Sequence, residues 1–309
     1  MNNLKRKGFL QSLAILTTAT AFPNNMPAVA PPVDTACSAG DSRFKISLNA
    51  YSFNEPLTSG KTNLEAVMEF CATQNFDAID LTGYYFPGYP KIPGDNYIFQ
   101  LKRKAHRLGL AISGTGIRTE FAEPEPAKRA REVAFVKRWI EVAAKLGAPV
   151  IRIFSGKTLP ANYNWEQVAG WIAADIISCV EHGKQHGVIV AVQNHNDFIK
   201  TADETIRLIK KVNSDWFGLV LDTGSFVTLE PYNEIEKTAA YAVNWQVKET
   251  LAYKGKTVPM NLEKLFGIVH ASTYRGYLPI ETLGTGDPFL VVPVFLQKVK
   301  TALSRVVNA

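Results

Sequence analysis

The sequence predicts a closed barrel of eight parallel strands, each followed by a helix, over residues 44–309. Three observations lead to this fold class. Strand-like and helix-like segments alternate strictly from Phe44 onward. The strand segments are continuous apolar runs, which is typical of parallel strands covered on both faces. About 265 residues carry eight such units, and this length matches a single-domain (β/α)8 TIM barrel.

Each element is set by its own pattern. Apolar runs predict strands over residues 45–53, 78–83, 111–117, 150–156, 188–195, 217–224, 243–249 and 276–283. Apolar residues at helical spacing predict helices over 64–74, 97–108, 126–146, 165–186, 202–212, 231–242, 261–271 and 287–307. Gly109, Gly147 and Gly187 follow three of these helices and can adopt the left-handed conformation that ends a helix. A doubly wound sheet is the competing fold, but the first strand lacks the glycine-rich phosphate turn of that class.

Residues 1–30 have the pattern of a secretory signal peptide. A basic segment (Lys5, Arg6 and Lys7) precedes the apolar residues 8–22, and Ala28-Val29-Ala30 supplies a cleavage site. Residues 6–10 also resemble a twin-arginine signal in which lysine replaces one arginine. The alternative is a disordered basic tail. We expect export to the periplasm by a Sec or Tat-like route, with cleavage after Ala30 and a linker over residues 31–43.

Composition excludes several function classes. Residues 1–30 carry three basic and no acidic side chains, so their removal lowers the formal net charge from +6 to +3. That charge, without a long basic run, argues against a nucleic-acid partner. No later stretch approaches the roughly 20 apolar residues of a membrane span, so no stable membrane insertion is expected. Cys71 and Cys179 fall in apolar helical patterns and are predicted core residues. The oligomeric state is not predicted by the sequence.

Polar residues near the ends of four predicted strands are the candidate site. Gln193, Asp222, Gln246 and Glu281 hold equivalent places on strands five to eight. A parallel barrel gathers these strand ends on one face, where the fold places its chemistry. A buried carboxylate must be paired or bind a cation, and Lys248 is the natural partner for Asp222.

Asn194 and His195 end the fifth strand beside this set. His195 could bind a sugar hydroxyl or relay a proton. The alternative is a neutral histidine that is hydrogen-bonded to a loop carbonyl.

These segments resemble the sugar phosphate isomerase/epimerase superfamily of xylose-isomerase-like TIM barrels. The resemblance extends from Lys45 onward. It is carried by KISLNAYSF (45–53), FDAIDLTG (76–83), VQNH (192–195), LDTGS (221–225), QVKE (246–249) and LPIET (278–282).

The resemblance implies one divalent metal, held by glutamate, aspartate, histidine and glutamate from strands five to eight. The matching positions here are Gln193, Asp222, Gln246 and Glu281, so two ligands are kept and two are replaced by glutamine. An all-oxygen set with two carboxylates suits Mg²⁺, Mn²⁺ or Ca²⁺ and would bind metal more weakly than the family set.

The same substitution changes the implied chemistry. Family epimerases resemble two-carboxylate proton shuttles, and Gln193 cannot act as a Brønsted base. Glu281 is left as the predicted base, with Lys248 and His195 as further catalytic candidates. We expect an isomerase/epimerase-like enzyme that removes a proton next to a carbonyl of a sugar or keto-sugar. A keto-sugar lyase acting by β-elimination and an inactive carbohydrate-binding barrel are the alternatives.

Aromatic and basic residues near other strand ends favour a small-molecule carbohydrate partner. Tyr51, Tyr84 and Trp245 could stack on sugar C–H surfaces, and Arg118 and Arg152 could engage an anionic group. Together with Asn194 they are the predicted substrate-binding residues. A nuclease of the endonuclease IV type is disfavoured, because its metal cluster is histidine-rich and this chain has five histidines.

Overall fold

Eight parallel strands close into a barrel in the computed structural model, which describes residues 43–307. The strands pair in chain order and the last closes on the first. They are β1 (Phe44–Asn49), β2 (Ala78–Thr82), β3 (Ala111–Gly116), β4 (Val150–Ile153), β5 (Ile189–Gln193), β6 (Phe217–Asp222), β7 (Ala242–Lys248) and β10 (Gly276–Glu281). The predicted fold class is therefore confirmed. The predicted signal peptide and nearly all of the predicted linker lie outside the described residues.

Helices surround this barrel. They are α1 (Asn54–Thr58), α2 (Leu64–Thr73), α3 (Asp95–Arg107), α4 (Pro126–Leu146), α5 (Trp165–His186), α6 (Ala202–Val212), α7 (Pro231–Thr238), α8 (Leu262–Ala271) and α9 (Pro288–Val307). Three short 3-10 helices cover Ala50–Phe53, Gly83–Tyr85 and Ala239–Tyr241. None of the helices within residues 43–307 combines the length and apolar character needed to cross a membrane.

The first predicted strand is too long by four residues. It ends at Asn49, whose side-chain oxygen accepts a hydrogen bond from the Tyr51 N–H at 2.9 Å. This bond starts a 3-10 helix over Ala50–Phe53. The apolar character of residues 50–53 reflects burial in that turn, so hydrophobicity alone did not mark the end of the strand.

A two-stranded antiparallel hairpin after β7 was not predicted. Its strands are β8 (Thr250–Tyr253) and β9 (Lys256–Pro259). The connecting residues Lys254 and Gly255 have φ angles of 50° and 74°, which is typical of a two-residue hairpin turn with positive φ at both positions. The Lys-Gly pair between two short β-branched segments was the sequence signal for this turn.

Side-chain alternation along the strands separates an outer core from the barrel interior. Leu219, Leu221, Trp245 and Val247 belong to the outer core between barrel and helices. Val150, Ala191 and Val220 form a small separate cluster inside the barrel. Side chains two residues after these three also point inward and lie near the C-terminal ends of their strands. Gln193 and Asp222 are two of them, so the fold brings the candidate site together at this end of the barrel.

The cysteine prediction is confirmed. Cys71 and Cys179 are free thiols buried in the outer core. Burial raises the pKa of the Cys179 thiol to about 12, so this thiol is unreactive at neutral pH.

Candidate active site

A cavity of about 380 Å³ opens at the C-terminal ends of the barrel strands. Its walls carry both charged and aromatic side chains from seven different strand ends and loops. The residues that line it are Tyr51, Tyr84, Arg118, Thr119, Arg152, Phe154, Gly156, Lys157, Gln193, His195, Asp197, Gln246, Lys248, Glu281 and Leu283. A volume of this size accommodates a small polar molecule.

Two buried carboxylates and one buried ammonium form the floor of the cavity. Lys248 Nζ donates a hydrogen bond to Glu281 Oε1 and lies 3.4 Å from Asp222 Oδ2. Gln193 Nε2 donates to Asp222 Oδ2 at 2.6 Å, and Gln246 Nε2 donates to Glu281 Oε2. All five side chains are at most 8% exposed as residues. The pairing of Lys248 with Asp222 is as predicted, and its contact with Glu281 follows from β7–β10 register, which sets the two residues opposite each other.

Backbone geometry makes room for the lysine. A β-carbon at Gly224 would lie 2.8 Å from Lys248 Cγ and 2.8 Å from the Thr250 carbonyl oxygen. The glycine that follows β6 therefore allows the Lys248 side chain to pass along the end of β6 toward the carboxylates.

Burial and charge act in opposite directions on these groups. Burial raises the pKa of the Glu281 carboxyl, and the opposing attraction of the Lys248 ammonium does not cancel this effect. For Lys248, burial lowers the pKa, but the carboxylates of Asp222 and Glu281 outweigh it and raise the pKa above its ordinary value. Both shifts therefore favour the protonated form: the Lys248 ammonium holds its proton more strongly than usual, and the Glu281 carboxyl has an increased affinity for one.

One acceptor on the cavity floor has no protein partner. Gln193 Oε1 is buried and accepts no hydrogen bond from any residue in the described part of the chain. Its amide nitrogen donates to Asp222, which fixes the direction in which the amide oxygen points. Because an unmade hydrogen bond at a buried acceptor is costly, this oxygen is suited to accept a ligand hydroxyl.

A second charged group lies in the wall. Arg152 Nη1 donates to Tyr84 Oη at 2.6 Å and to the Ile117 carbonyl at 2.7 Å, and its guanidinium lies 4.4 Å from the Phe154 ring centre. Burial raises the pKa of the neighbouring Asp80 carboxyl to about 6, and the Arg152 charge opposes that rise. The arginine is therefore oriented by several contacts and presents one face to the cavity.

The rim is more exposed. His195 Nδ1 lies 3.3 Å from Asp197 Oδ2, and the His195 ring lies 4.6 Å from the Phe154 ring. The His195 side chain is 50% exposed. Arg118 stacks over Tyr84, with 4.5 Å between its guanidinium carbon and the ring centre. These contacts leave His195 and Arg118 accessible to a molecule that enters the cavity.

Sequence comparison decides the family. Residues 68–292 match the family model of the xylose isomerase-like TIM barrel. The chain belongs to this family. No curated protein matches it in sequence.

Solved structures share the fold at low sequence identity. A D-psicose 3-epimerase from Clostridium cellulolyticum H10 is 16% identical with a TM-score of 0.62, and the match covers 85% of this chain and 95% of the epimerase chain. The 3-keto-D-glucoside 4-epimerase from E. coli is 13% identical with a TM-score of 0.64, and covers 86% and 100%. The IolI protein, described with a bound zinc atom, is 16% identical with a TM-score of 0.66, and covers 85% and 98%.

Most of the predicted site residues come together in this xylose isomerase-like barrel. Asp222 lies directly beneath the cavity, bonded to residues that line it. The others that were predicted and that line the cavity are Tyr51, Tyr84, Arg118, Arg152, Gln193, His195, Gln246, Lys248 and Glu281.

Two predicted substrate-binding residues lie elsewhere. Trp245 is 1% exposed and packs in the outer core against Tyr274, because residue 245 points outward between the inward-facing Gln246 and Asn244. Asn194 is fully buried and bonds the backbone of Asp222, donating to its carbonyl and accepting from its N–H, each at 2.9 Å. Both assignments are corrected: Trp245 is a packing residue, and Asn194 joins β5 to β6.

Three charged residues of the site were missed. Asp80 is buried beside Arg152, and Lys157 and Asp197 lie in the loops that follow β4 and β5. Asp80 carried a signal, since a carboxylate at an inward position of an apolar strand requires a partner. Lys157 and Asp197 lie in loops, where the sequence gives no periodicity from which to place them.

The contacts of Asp222 and Glu281 bear on whether the cavity floor can hold the divalent metal that the family resemblance implies. The oxygens of Asp222 and Glu281 are engaged by the Lys248 ammonium, and both glutamine amides present N–H groups to the same carboxylates. A divalent ion at this point would have to displace the ammonium and turn over both amides. The donor set therefore suits a fixed ammonium better than a divalent metal. Elsewhere in the described residues, Glu141, His182 and His186 form a group that could hold a divalent ion.

Proposed function

We propose that the protein is a sugar isomerase/epimerase-like enzyme that removes a proton next to the carbonyl of a sugar or keto-sugar. Membership of the xylose isomerase-like family supports this proposal, as do the sugar epimerases among the proteins with the same fold. The observation that carries it is a buried carboxylate, Glu281, held against a buried ammonium, Lys248, in the floor of a cavity.

Glu281 is the proposed base. An ionised carboxylate has about four lone-pair sites, and Glu281 uses one on each oxygen for Lys248 and Gln246. A further lone pair can therefore take the proton from carbon. The raised pKa of Glu281 strengthens it as a proton acceptor, because a general base works best when its pKa lies near the operating pH.

Lys248 is the proposed electrophile. When Glu281 takes the proton, the electrons of the C–H bond form a carbon–carbon double bond and the carbonyl oxygen gains negative charge. A fixed ammonium in a dry site stabilises that charge without reorganisation. We propose that Lys248 provides this cation in place of a divalent metal, because both floor carboxylates already hold it there.

Substrate hydroxyls have several partners in the proposal. Gln193 Oε1 can accept one hydroxyl, and Tyr51 and Tyr84 can stack on the sugar ring. Since glutamine cannot exchange a proton, Gln193 positions the sugar and takes no part in proton transfer. Glu281 can return the proton to the neighbouring carbon while the hydroxyl proton moves to the former carbonyl oxygen, which gives isomerisation. Return to the same carbon from the same face restores the substrate, so epimerisation needs a proton donor on the opposite face, and Gln193 cannot be that donor.

A keto-sugar lyase is a second candidate, supported by the His195–Asp197 contact at the rim. An enolate with a leaving group on the β-carbon can expel it, and a protonated His195 could donate the proton that this group needs. The first step and its residues are the same in both reactions. Product analysis distinguishes the two: elimination releases the leaving group and leaves a carbon–carbon double bond, whereas isomerisation releases nothing.

Turnover of a panel of ketoses and 3-keto-glycosides tests the function. The protein is stripped with EDTA and assayed alone and with added Mg²⁺, Mn²⁺, Ca²⁺ or Zn²⁺. The proposal expects turnover of at least one sugar without added metal, and loss of that turnover in Glu281→Gln but not in Glu249→Gln, a neighbouring strand-end carboxylate outside the cavity lining. Turnover only with added metal would show that a metal ion, and not Lys248, is the cation that stabilises the enolate. Binding of sugars without turnover under any condition would assign the protein as a carbohydrate-binding barrel.

A further inference from the structure

Two histidines and a glutamate meet on the outer surface of the barrel, away from the cavity. His182 and His186 lie in the last turns of α5, and Glu141 lies on the adjacent helix α4. None of the three lines the active-site cavity. The proposed sugar chemistry makes no use of this cluster.

The geometry brings three metal-ligating groups together. His182 Nε2 lies 3.2 Å from Glu141 Oε1, and the rings of His182 and His186 are 4.5 Å apart. One ligand atom from each of the three residues lies within 4.8 Å of the other two. Because the histidines are four residues apart on a helix, their side chains project from the same face one turn apart.

The donor set is that of a transition-metal site. Two imidazole nitrogens and one carboxylate oxygen suit Zn²⁺, Cu²⁺, Ni²⁺ or Co²⁺, whereas Mg²⁺ and Ca²⁺ prefer oxygen ligands alone. A zinc ion binds its ligand atoms at about 2.0–2.1 Å, so the three atoms, which now lie within 4.8 Å of one another, must move closer together. His186 is exposed and Glu141 is half-buried, so both side chains can make this adjustment.

The surrounding charges leave the carboxylate available. Lys145, one turn further along α4, pairs with Asp95 on α3 at 2.6 Å. Within residues 43–307, the Glu141 carboxylate contacts His182, which is itself a ligand candidate. The metal would thus replace one His–Glu hydrogen bond by three coordinate bonds, one from each residue.

We propose that Glu141, His182 and His186 bind a transition metal of the Zn²⁺ class and that the metal joins α4 to α5. Solvent completes the coordination. Because the ligands come from two helices, the ion binds the folded chain and stabilises it by linkage. This site is independent of the floor of the cavity and of the proposed reaction.

Calorimetric titration of EDTA-stripped protein without an affinity tag tests the proposal. Zn²⁺ should show one saturable site and Mg²⁺ none. His186→Ala should weaken Zn²⁺ binding by more than about tenfold, because loss of a residue that only hydrogen-bonds to a metal ligand already lowers affinity by that factor. His106→Ala, which removes another exposed histidine on α3, should bind like wild type. Zn²⁺ should also raise the melting temperature of wild type and not that of His186→Ala.

The variants also separate this site from the barrel interior. Glu281→Gln should leave Zn²⁺ affinity unchanged, because Glu281 lines the cavity and none of the three ligands does. No saturable Zn²⁺ site in wild type, or equal Zn²⁺ affinity in wild type, Glu141→Gln and His186→Ala, would overturn the proposal. If Zn²⁺ affinity is equal in those three proteins and is lost in Glu281→Gln, the metal binds in the cavity floor instead.

Discussion

At the residue scale, Lys248 balances two carboxylates that would otherwise be buried without a counter-charge. Asp222 and Glu281 are 0% and 1% exposed, and Lys248 Nζ contacts both. Removal of one partner from a buried ion group is strongly destabilising, because the remaining charge loses its compensation. Lys248 therefore has a structural role in addition to its proposed chemical one.

Replacement of Lys248 by methionine tests that structural role. Lys248→Met should lower the free energy of unfolding at pH 7 by about 3–5 kcal/mol, the usual effect of breaking a buried ion pair. Asp222→Asn added to this variant should recover part of the loss, because one uncompensated charge is then removed. Urea unfolding of both variants provides the measurement. Equal stability of Lys248→Met and wild type would contradict the buried ion group.

Most residues of the candidate site could be predicted from the sequence. A parallel barrel fixes which residues meet, so polar side chains at equivalent strand ends identified Gln193, Asp222, Gln246 and Glu281. The prediction of Trp245 as a substrate-binding residue was wrong, although the same alternation indicates that residue 245 points outward when Gln246 and Lys248 point inward. The contact of Lys248 with Glu281 required the register between β7 and β10, which no local pattern encodes.

At the element scale, Asn194 fixes the end of β5 to the end of β6. Its amide donates to the Asp222 carbonyl and its carbonyl accepts from the Asp222 N–H. This pair of bonds continues the strand pairing past Gln193 and Val220, the last matched residues of the two strands. The position of the Asp222 carboxylate thus depends on a residue that does not reach the cavity.

Asn194→Ala should destabilise the fold by about 1–3 kcal/mol, because it leaves a buried backbone donor and acceptor without partners. Asn233→Ala, on the exposed side of α7, is the matched control and should have little effect. Thermal or urea unfolding measures both. A loss no greater in Asn194→Ala than in Asn233→Ala would show that other contacts hold β6 in place.

Elements were predicted well where periodicity was long and poorly where it was short. Helices such as α4 and α5 match their predicted bounds because many turns repeat the apolar pattern and glycine follows each end. The β8–β9 hairpin has only four residues per strand. Its β9 residues are intermediate or exposed, so it has no apolar pattern of its own, and only its Lys254-Gly255 turn marked it.

At the scale of the whole molecule, one buried carboxyl should make stability depend on pH. The pKa of Asp80 is raised from 3.8 to about 6, first by burial. Its contribution to stability is therefore fully present below the unfolded pKa and is lost as pH rises through about 6. The shift corresponds to roughly 3 kcal/mol.

Asp80→Asn should abolish this loss. Relative to wild type, the variant should gain up to about 3 kcal/mol in the free energy of unfolding between pH 4 and pH 8. Asp215→Asn, which changes an exposed carboxylate, should show no such trend. Denaturant unfolding at the two pH values measures the difference. A stability difference between Asp80→Asn and wild type that is the same at both pH values would contradict the account of Asp80.

Export also concerns the whole molecule, and we propose it from the pattern of residues 1–30. Cleavage after Ala30 should leave a periplasmic protein that begins Pro31-Pro32. N-terminal sequencing of protein from the native envelope fraction checks this. An intact Met1 on cytosolic protein would contradict export.

Deuterium uptake from D2O at the carbon next to the carbonyl tests the central claim most directly, because it reports proton removal whatever the final product. The panel of ketoses and 3-keto-glycosides is incubated with EDTA-stripped protein and followed by NMR. We predict exchange with wild type, and exchange slower by about two to four orders of magnitude with Glu281→Gln, while sugar affinity changes little. Wild type that binds a sugar of the panel without exchanging any of its protons, or Glu281→Gln that exchanges at the wild-type rate, would contradict it.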